Sequence, residues 1–296
     1  MSVSAAYLAV ILVWSTTPLG IVWSSESINP TIAVLLRMLI AVILGAVVVK
    51  ARNIELPKES KAIKVYCYSA IGIYGGMMFS YMAASYLSSG MMSLIFGLAP
   101  ILSAILAQKL LKEPAFSWVR QLAMVISLVG LAIVCSDSIS LKENSEIGLI
   151  YILCAVFFFS LSGILVKSVE ILIHPMATTV GALSISIPLF ALTWLVLDGT
   201  LPIDTWESRS IWAIVYLGVF GSFIGFVAYF YVLQKLSAST VALVTMITPV
   251  MAISLGAVLN NETISSTLIF GAMFVLIGLA CYHWGEKVLL RKRARR

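Results

Sequence analysis

Long apolar stretches alternate with short polar or charged segments along the whole chain of 296 residues. Roughly 20 apolar residues are enough to cross the hydrocarbon core of a bilayer as a helix. The pattern predicts an all-α integral membrane protein of ten spans, at 3–23, 31–49, 64–86, 89–108, 117–135, 147–166, 176–197, 210–232, 239–259 and 267–287. No basic segment precedes the first apolar run, so we expect a retained helix rather than a cleaved signal peptide.

Composition supports lipid as the natural solvent of the chain. Hydrophobic residues make up 61% and charged residues 11% of the sequence, and the mean hydropathy is +1.06. A soluble domain carries about a quarter charged residues. The net charge of +6 does not indicate nucleic acid, because the basic residues lie in short loops and in the tail at 289–296. That placement favours contact with anionic lipid headgroups at the cytoplasmic face.

The basic residues also predict an orientation. With the N-terminus in the cytoplasm, every lysine and arginine except Arg37, Lys142 and Arg209 falls in a cytoplasmic loop or tail. Cytoplasmic loops carry such an excess. Both termini are therefore predicted to be cytoplasmic, in the inner membrane of a bacterium. The sequence leaves the oligomeric state open, and a monomer is compatible with it.

The two halves of the chain resemble each other. The segment Trp14–Leu19 aligns with Phe159–Ile164, and Ile71–Gly76 aligns with Leu217–Ser222 at nearly the same offset. Each half holds an odd number of predicted spans, five, so the second half must enter the membrane from the opposite side. Inverted repeats of this kind are typical of transporters, with the substrate between the halves. The predicted units are a first repeat at 1–136, an inverted second repeat at 147–288 and a basic tail at 289–296.

A proline and a glutamate recur at one spacing in the fourth and ninth predicted spans. The pairs are Pro100 with Glu113 and Pro249 with Glu262. With Trp14, Ser15 and Arg37, this pattern resembles the drug/metabolite transporter superfamily, specifically its ten-helix EamA-type branch. The resemblance covers the whole chain. It implies a substrate cavity between the halves and, commonly, efflux of amino acids or other small metabolites.

Arg37 is the only ionisable residue well inside a predicted span. An arginine at this depth costs about 3 kcal/mol on insertion scales unless it faces a cavity or a partner. It can bind a substrate carboxylate through two parallel hydrogen bonds. Alternatively, it reaches the outer interface or pairs with Glu26. Because the interiors of the predicted spans hold no Asp or Glu, with every glutamate near a span placed at its end, the sequence favours facilitated movement or exchange of a neutral or zwitterionic solute.

Hydroxyl and aromatic residues inside the spans predict the walls of the pocket. The candidate substrate-binding residues are Trp14, Ser15, Thr17, Arg37, Tyr74, Met78, Tyr81, Phe96, Phe159, Phe220, Tyr229 and Thr245. Any one of them can instead serve helix packing. Proline within a span kinks the helix. Three prolines, Pro18, Pro100 and Pro249, are therefore predicted to act in kinking and gating.

No phosphate-binding loop, dinucleotide fingerprint, metal-spaced His/Cys cluster or nucleophile elbow occurs in the sequence. We therefore expect no enzyme activity, no cofactor, no metal and no nucleic acid partner. The sequence predicts a transporter that exports a small metabolite, most plausibly a neutral or aromatic amino acid, by alternating access. A nutrient importer, a drug efflux carrier, a channel and a lipid-scrambling protein stay open as alternatives.

Overall fold

The computed structural model describes residues 2–112, 116–141, 144–236 and 238–293. The side chains of residues 135–141, 238–243, 245, 246 and 286–293 lie outside this description. Within the described residues the chain folds into helices joined by short turns. The helices of the first half are α1 (Val3–Ser24), α2 (Pro30–Ala51), α3 (Ser60–Ala84), α4 (Ser89–Phe96), α5 (Ala99–Leu110) and α6 (Trp118–Leu141).

The second half has a similar order of helices. They are α7 (Ser145–Lys167), α8 (Pro175–Leu197), α9 (Ser208–Tyr216), α10 (Gly225–Lys235), α11 (Ala238–Asn260) and α12 (Ser266–Arg293). A π-helical segment, Leu217–Ile224, joins α9 to α10, and a 3₁₀ turn, Ile203–Thr205, precedes α9. The prediction of an all-helical membrane protein is confirmed for the described residues.

Seven helical segments of the described chain are long and apolar enough to cross a membrane. They include the α4–α5 run, Ser89–Leu110, and the run from α9 to α10, Ser208–Lys235. Two further apolar segments are shorter, Trp118–Val134 and Ile247–Asn260. Tyrosine, serine and glycine recur along α3 and make it less apolar. The count of ten crossings therefore stays a prediction.

Matching caps begin the second helix of each half. Asn29 and His174 each accept a hydrogen bond from a backbone N–H two residues ahead, at 3.0 and 3.2 Å. Pro30 and Pro175 follow directly as the first helical residues. Proline suits this position because the N–H it lacks would have no partner within the helix.

Small residues let the helices pack closely. α3 lies along α7, α1 lies along the run from α9 to α10, and α6 pairs with α12. A Cβ atom added at Gly130 of α6 would lie 2.7 Å from the carbonyl oxygen of Gly271 in α12. The α6–α12 pair is therefore in backbone contact, which only small residues permit.

Candidate functional site

A central cavity of about 90 Å³ lies between helices of both halves. Six of the predicted site residues line it: Trp14, Thr17, Pro18, Arg37, Phe96 and Phe159. Nine residues that the sequence analysis did not select complete the lining: Ile21, Met77, Ser80, Met92, Ser93, Ala99, Gly221, Phe226 and Thr248. The cavity is thus walled by α1, α2, α3, α4, α5, α7, the π segment, α10 and α11.

Arg37 is completely buried in the wall of this cavity. Its Nε donates to the Ser222 hydroxyl at 2.7 Å, and its guanidinium carbon lies 5.9 Å from the centre of the Tyr81 ring. Its NH1 has no hydrogen-bond partner among the described residues. A buried cation with an unused donor is costly unless an acceptor meets it. The cavity is where such an acceptor can bind.

Glycine leaves the space beside this guanidinium open. A Cβ added at Gly221 would approach NH2 of Arg37 to 3.0 Å, closer than most side-chain contacts. The alternative reading, in which Arg37 reaches the surface or pairs with Glu26, is wrong. Arg37 has no exposed surface, and Glu26 instead pairs with Arg209 at 3.5 Å.

Aromatic rings form one side of the cavity. The ring of Trp14 lies 5.6 Å from Phe159 and 5.2 Å from Tyr229, measured between ring centres. Phe159 also contacts Phe96 at 6.0 Å. Offset and edge-to-face arrangements at these distances are favourable beyond the area they bury. The structure therefore brings together four predicted aromatic residues from α1, α4, α7 and α10.

The hydroxyl groups that line the cavity differ in whether they are free to form a hydrogen bond with a solute. Thr17 donates to the Val13 carbonyl at 2.7 Å, and Ser80 donates to the Gly76 carbonyl at 2.6 Å, so both are engaged within their own helices. Ser93 and Thr248 also line the cavity. The side-chain hydroxyl of each makes no hydrogen bond to another described residue. They are therefore able to accept from or donate to a bound solute.

Several predicted residues lie away from the cavity. The Ser15 hydroxyl donates to the Ile11 carbonyl at 2.7 Å and lies 3.4 Å from the sulfur of Met251. The hydroxyls of Tyr74 and Thr193 share a hydrogen bond of 2.6 Å that joins α3 to α8. Met78 is buried in the helix packing. Thr245 falls outside the described side chains.

Two other aromatic residues occupy different positions from those expected. Tyr81 is fully buried behind Arg37 and accepts from Ser24 at 3.4 Å, so it supports the guanidinium rather than lining the cavity. The expectation that Phe220 adds bulk to the pocket is corrected. Its ring stacks on Tyr216 at 5.3 Å and is 45% exposed, because the π segment turns it away from the cavity.

The three prolines have different local settings. Pro18 lies within α1 and lines the cavity, and it lacks the N–H that the Trp14 carbonyl would accept in a regular helix. Pro100 lies in the first turn of α5, directly after the break at residues 97–98 that separates α4 from α5. Pro249 lies inside the continuous helix α11. The fourth predicted span is therefore broken where the ninth is continuous.

The model of the EamA-like transporter family matches residues 2–136 and 146–283. The chain belongs to this family. It is 24% identical to an "Uncharacterized transporter" of Archaeoglobus fulgidus, over 90% of this chain and 93% of that protein. It is 20% identical to "Uncharacterized transporter YoaV" of Bacillus subtilis, over 94% and 96%. The resemblance to the drug/metabolite transporter superfamily is thereby confirmed, and the named homologues support a membrane transporter.

The fold also has a counterpart among solved structures. A crystal structure superposes with a TM-score of 0.69 over 100% of this chain and 99% of the other. The sequence identity is 17%, so the likeness concerns the fold alone. In the part of the chain that the structure describes, no group of three or more His, Cys, Asp or Glu residues could hold a metal ion.

A polar network lies at one end of the bundle, beyond the cavity. The carboxylate of Glu262 accepts from the backbone N–H of Ser89 at 3.1 Å and from its hydroxyl at 2.9 Å. Because Ser89 is the first residue of α4, the carboxylate caps that helix and is stabilised by its dipole. Glu113, the predicted counterpart of Glu262, falls outside the described residues.

The same network extends to the ends of α1 and α9. Asn260 accepts from the Trp23 indole N–H at 2.7 Å and from Arg209 at 2.8 Å, and it donates to Glu262 at 3.2 Å. Burial raises the pKa of Glu26, which pairs with Arg209, and the arginine charge opposes that rise. Helices of both halves are thus tied together at this end, which we name the Glu262 network (Trp23, Glu26, Ser89, Arg209, Asn260 and Glu262).

Proposed function

We propose that this chain exports a small amphiphilic metabolite, with a neutral or aromatic amino acid as the leading candidate. One observation carries the proposal: the NH1 group of Arg37 lies buried in an aromatic-walled cavity and has no partner among the described residues. A carboxylate is the acceptor that a planar guanidinium binds best. The solute would place its carboxylate at Arg37 and its apolar part against Trp14, Phe96 and Phe159.

The remaining lining supports a zwitterion over a cation. The described residues around the cavity include Arg37 but no Asp or Glu. The hydroxyls of Ser93 and Thr248 are available to the ammonium group of an amino acid. A lipophilic cation would find a buried positive charge and no carboxylate, so drug cations are disfavoured. A sugar phosphate would need more than one buried basic group.

Helix pairing supports two inverted repeats, at 1–136 and 147–288, and alternating access around the cavity. α3 packs on α7, the first helix of the second half, while the α9–α10 run packs on α1. α2 pairs with α8, and α6 pairs with α12, each with its counterpart. When a pseudo-two-fold axis relates two halves, each contact between two helices recurs between their counterparts, and these pairs follow that pattern. The distribution of lysine and arginine supports cytoplasmic termini and a bacterial inner membrane.

Counterflow in proteoliposomes tests the proposal. Vesicles are loaded with unlabelled phenylalanine, tryptophan or methionine and receive a trace of the labelled compound, without a proton or sodium gradient. We expect accumulation of label by the unaltered protein and its loss in Arg37→Ala. Arg52→Ala, which removes an exposed arginine of the α2–α3 loop, is the matched control. Absence of counterflow with every amino acid would overturn the substrate assignment.

The same preparation separates the alternatives. A channel or a lipid-scrambling protein gives no counterflow, because counterflow requires one site to exchange solutes between the two sides. Flux in whole cells distinguishes export from import: an exporter speeds the loss of a preloaded labelled amino acid from the cells, whereas a nutrient importer speeds its uptake from the medium. Competition by lipophilic cations in place of amino acids would favour a drug carrier.

A further inference from the structure

Two further cavities adjoin the central cavity toward one end of the bundle. The second cavity, of about 20 Å³, shares Phe159 and Phe226 with the central cavity. The third, of about 130 Å³, shares Val166, Phe230 and Leu233 with the second. The second space therefore shares walls with both of the others, and it has the smallest volume of the three.

The third cavity lies at the end of the bundle opposite the Glu262 network. It is lined by Val65 near the start of α3, by Lys167 at the end of α7 and by Thr178 near the start of α8. Gln234 donates to the Ile173 carbonyl at 2.8 Å and holds the α7–α8 loop against α10. In the proposed orientation this end is cytoplasmic.

The narrow middle cavity contains hydroxyl groups although its other walls are apolar. The Ser69 hydroxyl is buried and has no hydrogen-bond partner among the described residues. The hydroxyls of Ser162 and Tyr229 also line this space and bond to no other described residue. A buried hydroxyl without a partner costs free energy. Polar groups in this position would stabilise a polar solute as it passes between apolar walls.

Glycine keeps the narrow point open. A Cβ added at Gly163 of α7 would meet one neighbouring atom, the Tyr229 hydroxyl oxygen, at 3.7 Å. At Gly72, by contrast, an added Cβ would lie 2.6 Å from the Ser162 side chain, so that glycine serves close packing of α3 on α7. The two glycines thus have different roles, and Gly163 is the one that faces open space.

We propose that these spaces form a solute passage between α3, α7 and α10, which loads the central cavity from the cytoplasmic face. Tyr229, Phe159 and Phe226 form its narrow point, and Lys167 stands at its mouth. The Glu262 network closes the opposite end in the same conformation. The passage rests on the proposed function for its direction, while its existence is testable without any substrate.

Thiol labelling tests whether the passage is open to water. In a chain whose native cysteines are replaced by alanine, Gly163→Cys is compared with Phe157→Cys, which lies on the same helix with its native side chain 40% exposed on the outer surface of the bundle. A membrane-impermeant methanethiosulfonate requires a hydrated thiolate. We expect Gly163→Cys to react faster than Phe157→Cys, and faster in inside-out than in right-side-out vesicles. Equal rates at the two positions, or labelling of Gly163→Cys from the outer face alone, would overturn the passage.

A transport measurement adds a second, independent test. Gly163→Leu fills the narrow point, whereas Gly163→Ala adds one methyl group at an ordinary contact distance and controls for loss of glycine. We expect counterflow to fall about tenfold or more in the leucine variant and to persist in the alanine variant. Unchanged counterflow in both would overturn the passage and leave the proposed function standing. If Gly163→Cys is labelled fast but the unaltered protein shows no counterflow with any amino acid, the passage is supported and the proposed function is overturned.

Discussion

The Nε atom of Arg37 donates to the hydroxyl of Ser222 at 2.7 Å, across the boundary between the two predicted halves. The bond fixes the guanidinium by one edge, and NH1 is left to meet a solute. Ser222 lies in the π segment, a kind of helix that recurs at functional sites. In the proposed function, binding of the solute carboxylate would thus depend on how one half is positioned against the other.

Ser222→Ala tests this dependence. Removing the hydroxyl leaves the guanidinium in place but without its orienting partner, so we expect the half-saturating concentration of the amino acid to rise roughly tenfold. The maximal rate should change less than in Arg37→Ala. Counterflow measured over a range of external concentrations separates the two quantities. An unchanged half-saturating concentration would mean that Ser222 does not orient Arg37 toward the solute.

Arg37→Lys should not restore transport. Lysine offers a compact ammonium in place of the planar guanidinium, so it cannot make two parallel hydrogen bonds to a carboxylate. We expect counterflow with a labelled amino acid to stay close to that of Arg37→Ala. The complementary change is made on the solute: phenylalaninamide, which lacks the carboxylate, should compete poorly with phenylalanine for the unaltered protein. Equal competition by the amide would show that Arg37 does not bind the carboxylate.

Glu262→Gln should loosen the outer end of the bundle. The amide keeps an acceptor oxygen but loses a negative charge that is worth about 0.3–1 kcal/mol at a helix N-terminus. We expect a cysteine placed at Ser93 in the central cavity to react faster with an impermeant thiol reagent from the outer face. Asp204→Asn, which changes an exposed carboxylate in the connection between α8 and α9, is the control. Equal reactivity in the two variants would exclude Glu262 as a closing contact.

Glu26 should give the protein a stability that falls as the pH rises. Burial holds its pKa in the folded state above the ordinary value of 4.5, so the folded state binds more protons than the unfolded state in the interval between them. Stability is therefore lost as the pH increases through that interval. Glu26→Gln should remove this component, which a comparison of thermal unfolding midpoints across the acidic range detects. Parallel pH profiles of the unfolding midpoint for Glu26→Gln and the unaltered protein would contradict the raised pKa of Glu26.

Helix positions could be predicted because most apolar stretches have the length of a membrane crossing and end at polar or charged residues. It is harder to predict which face of a helix meets the cavity. The spans are apolar all round, so periodicity does not distinguish the face toward lipid from the face toward the interior. Arg37 was identifiable because its charge is costly in lipid. Ser93 and Thr248 were missed, although Ser93 lies one turn before Phe96 and would have followed from helical spacing.

Local departures from the regular α-helix account for other differences between the predicted and the observed structure. The π segment alters the register between Leu217 and Ile224, so Phe220 faces outward while Gly221 and Ser222 face Arg37. A wider helical turn of this kind leaves no pattern in the sequence. The break before Pro100 has a signal in Gly97 and Pro100. The equivalent proline of α11 does not interrupt its helix, so proline alone could not predict the asymmetry.

Among the described residues that line the cavity Arg37 alone is charged, and this bears on how transport would respond to the membrane potential. No carboxylate occurs among the described residues that line the cavity, so none is there to carry a proton across with the solute. The charge moved in each cycle then equals the charge of the solute. An amino acid zwitterion would leave the cell without current, whereas a simple carboxylate anion would gain about 2.3 kcal/mol per 100 mV from an inside-negative membrane. A voltage clamp across the bilayer therefore distinguishes the two solute classes.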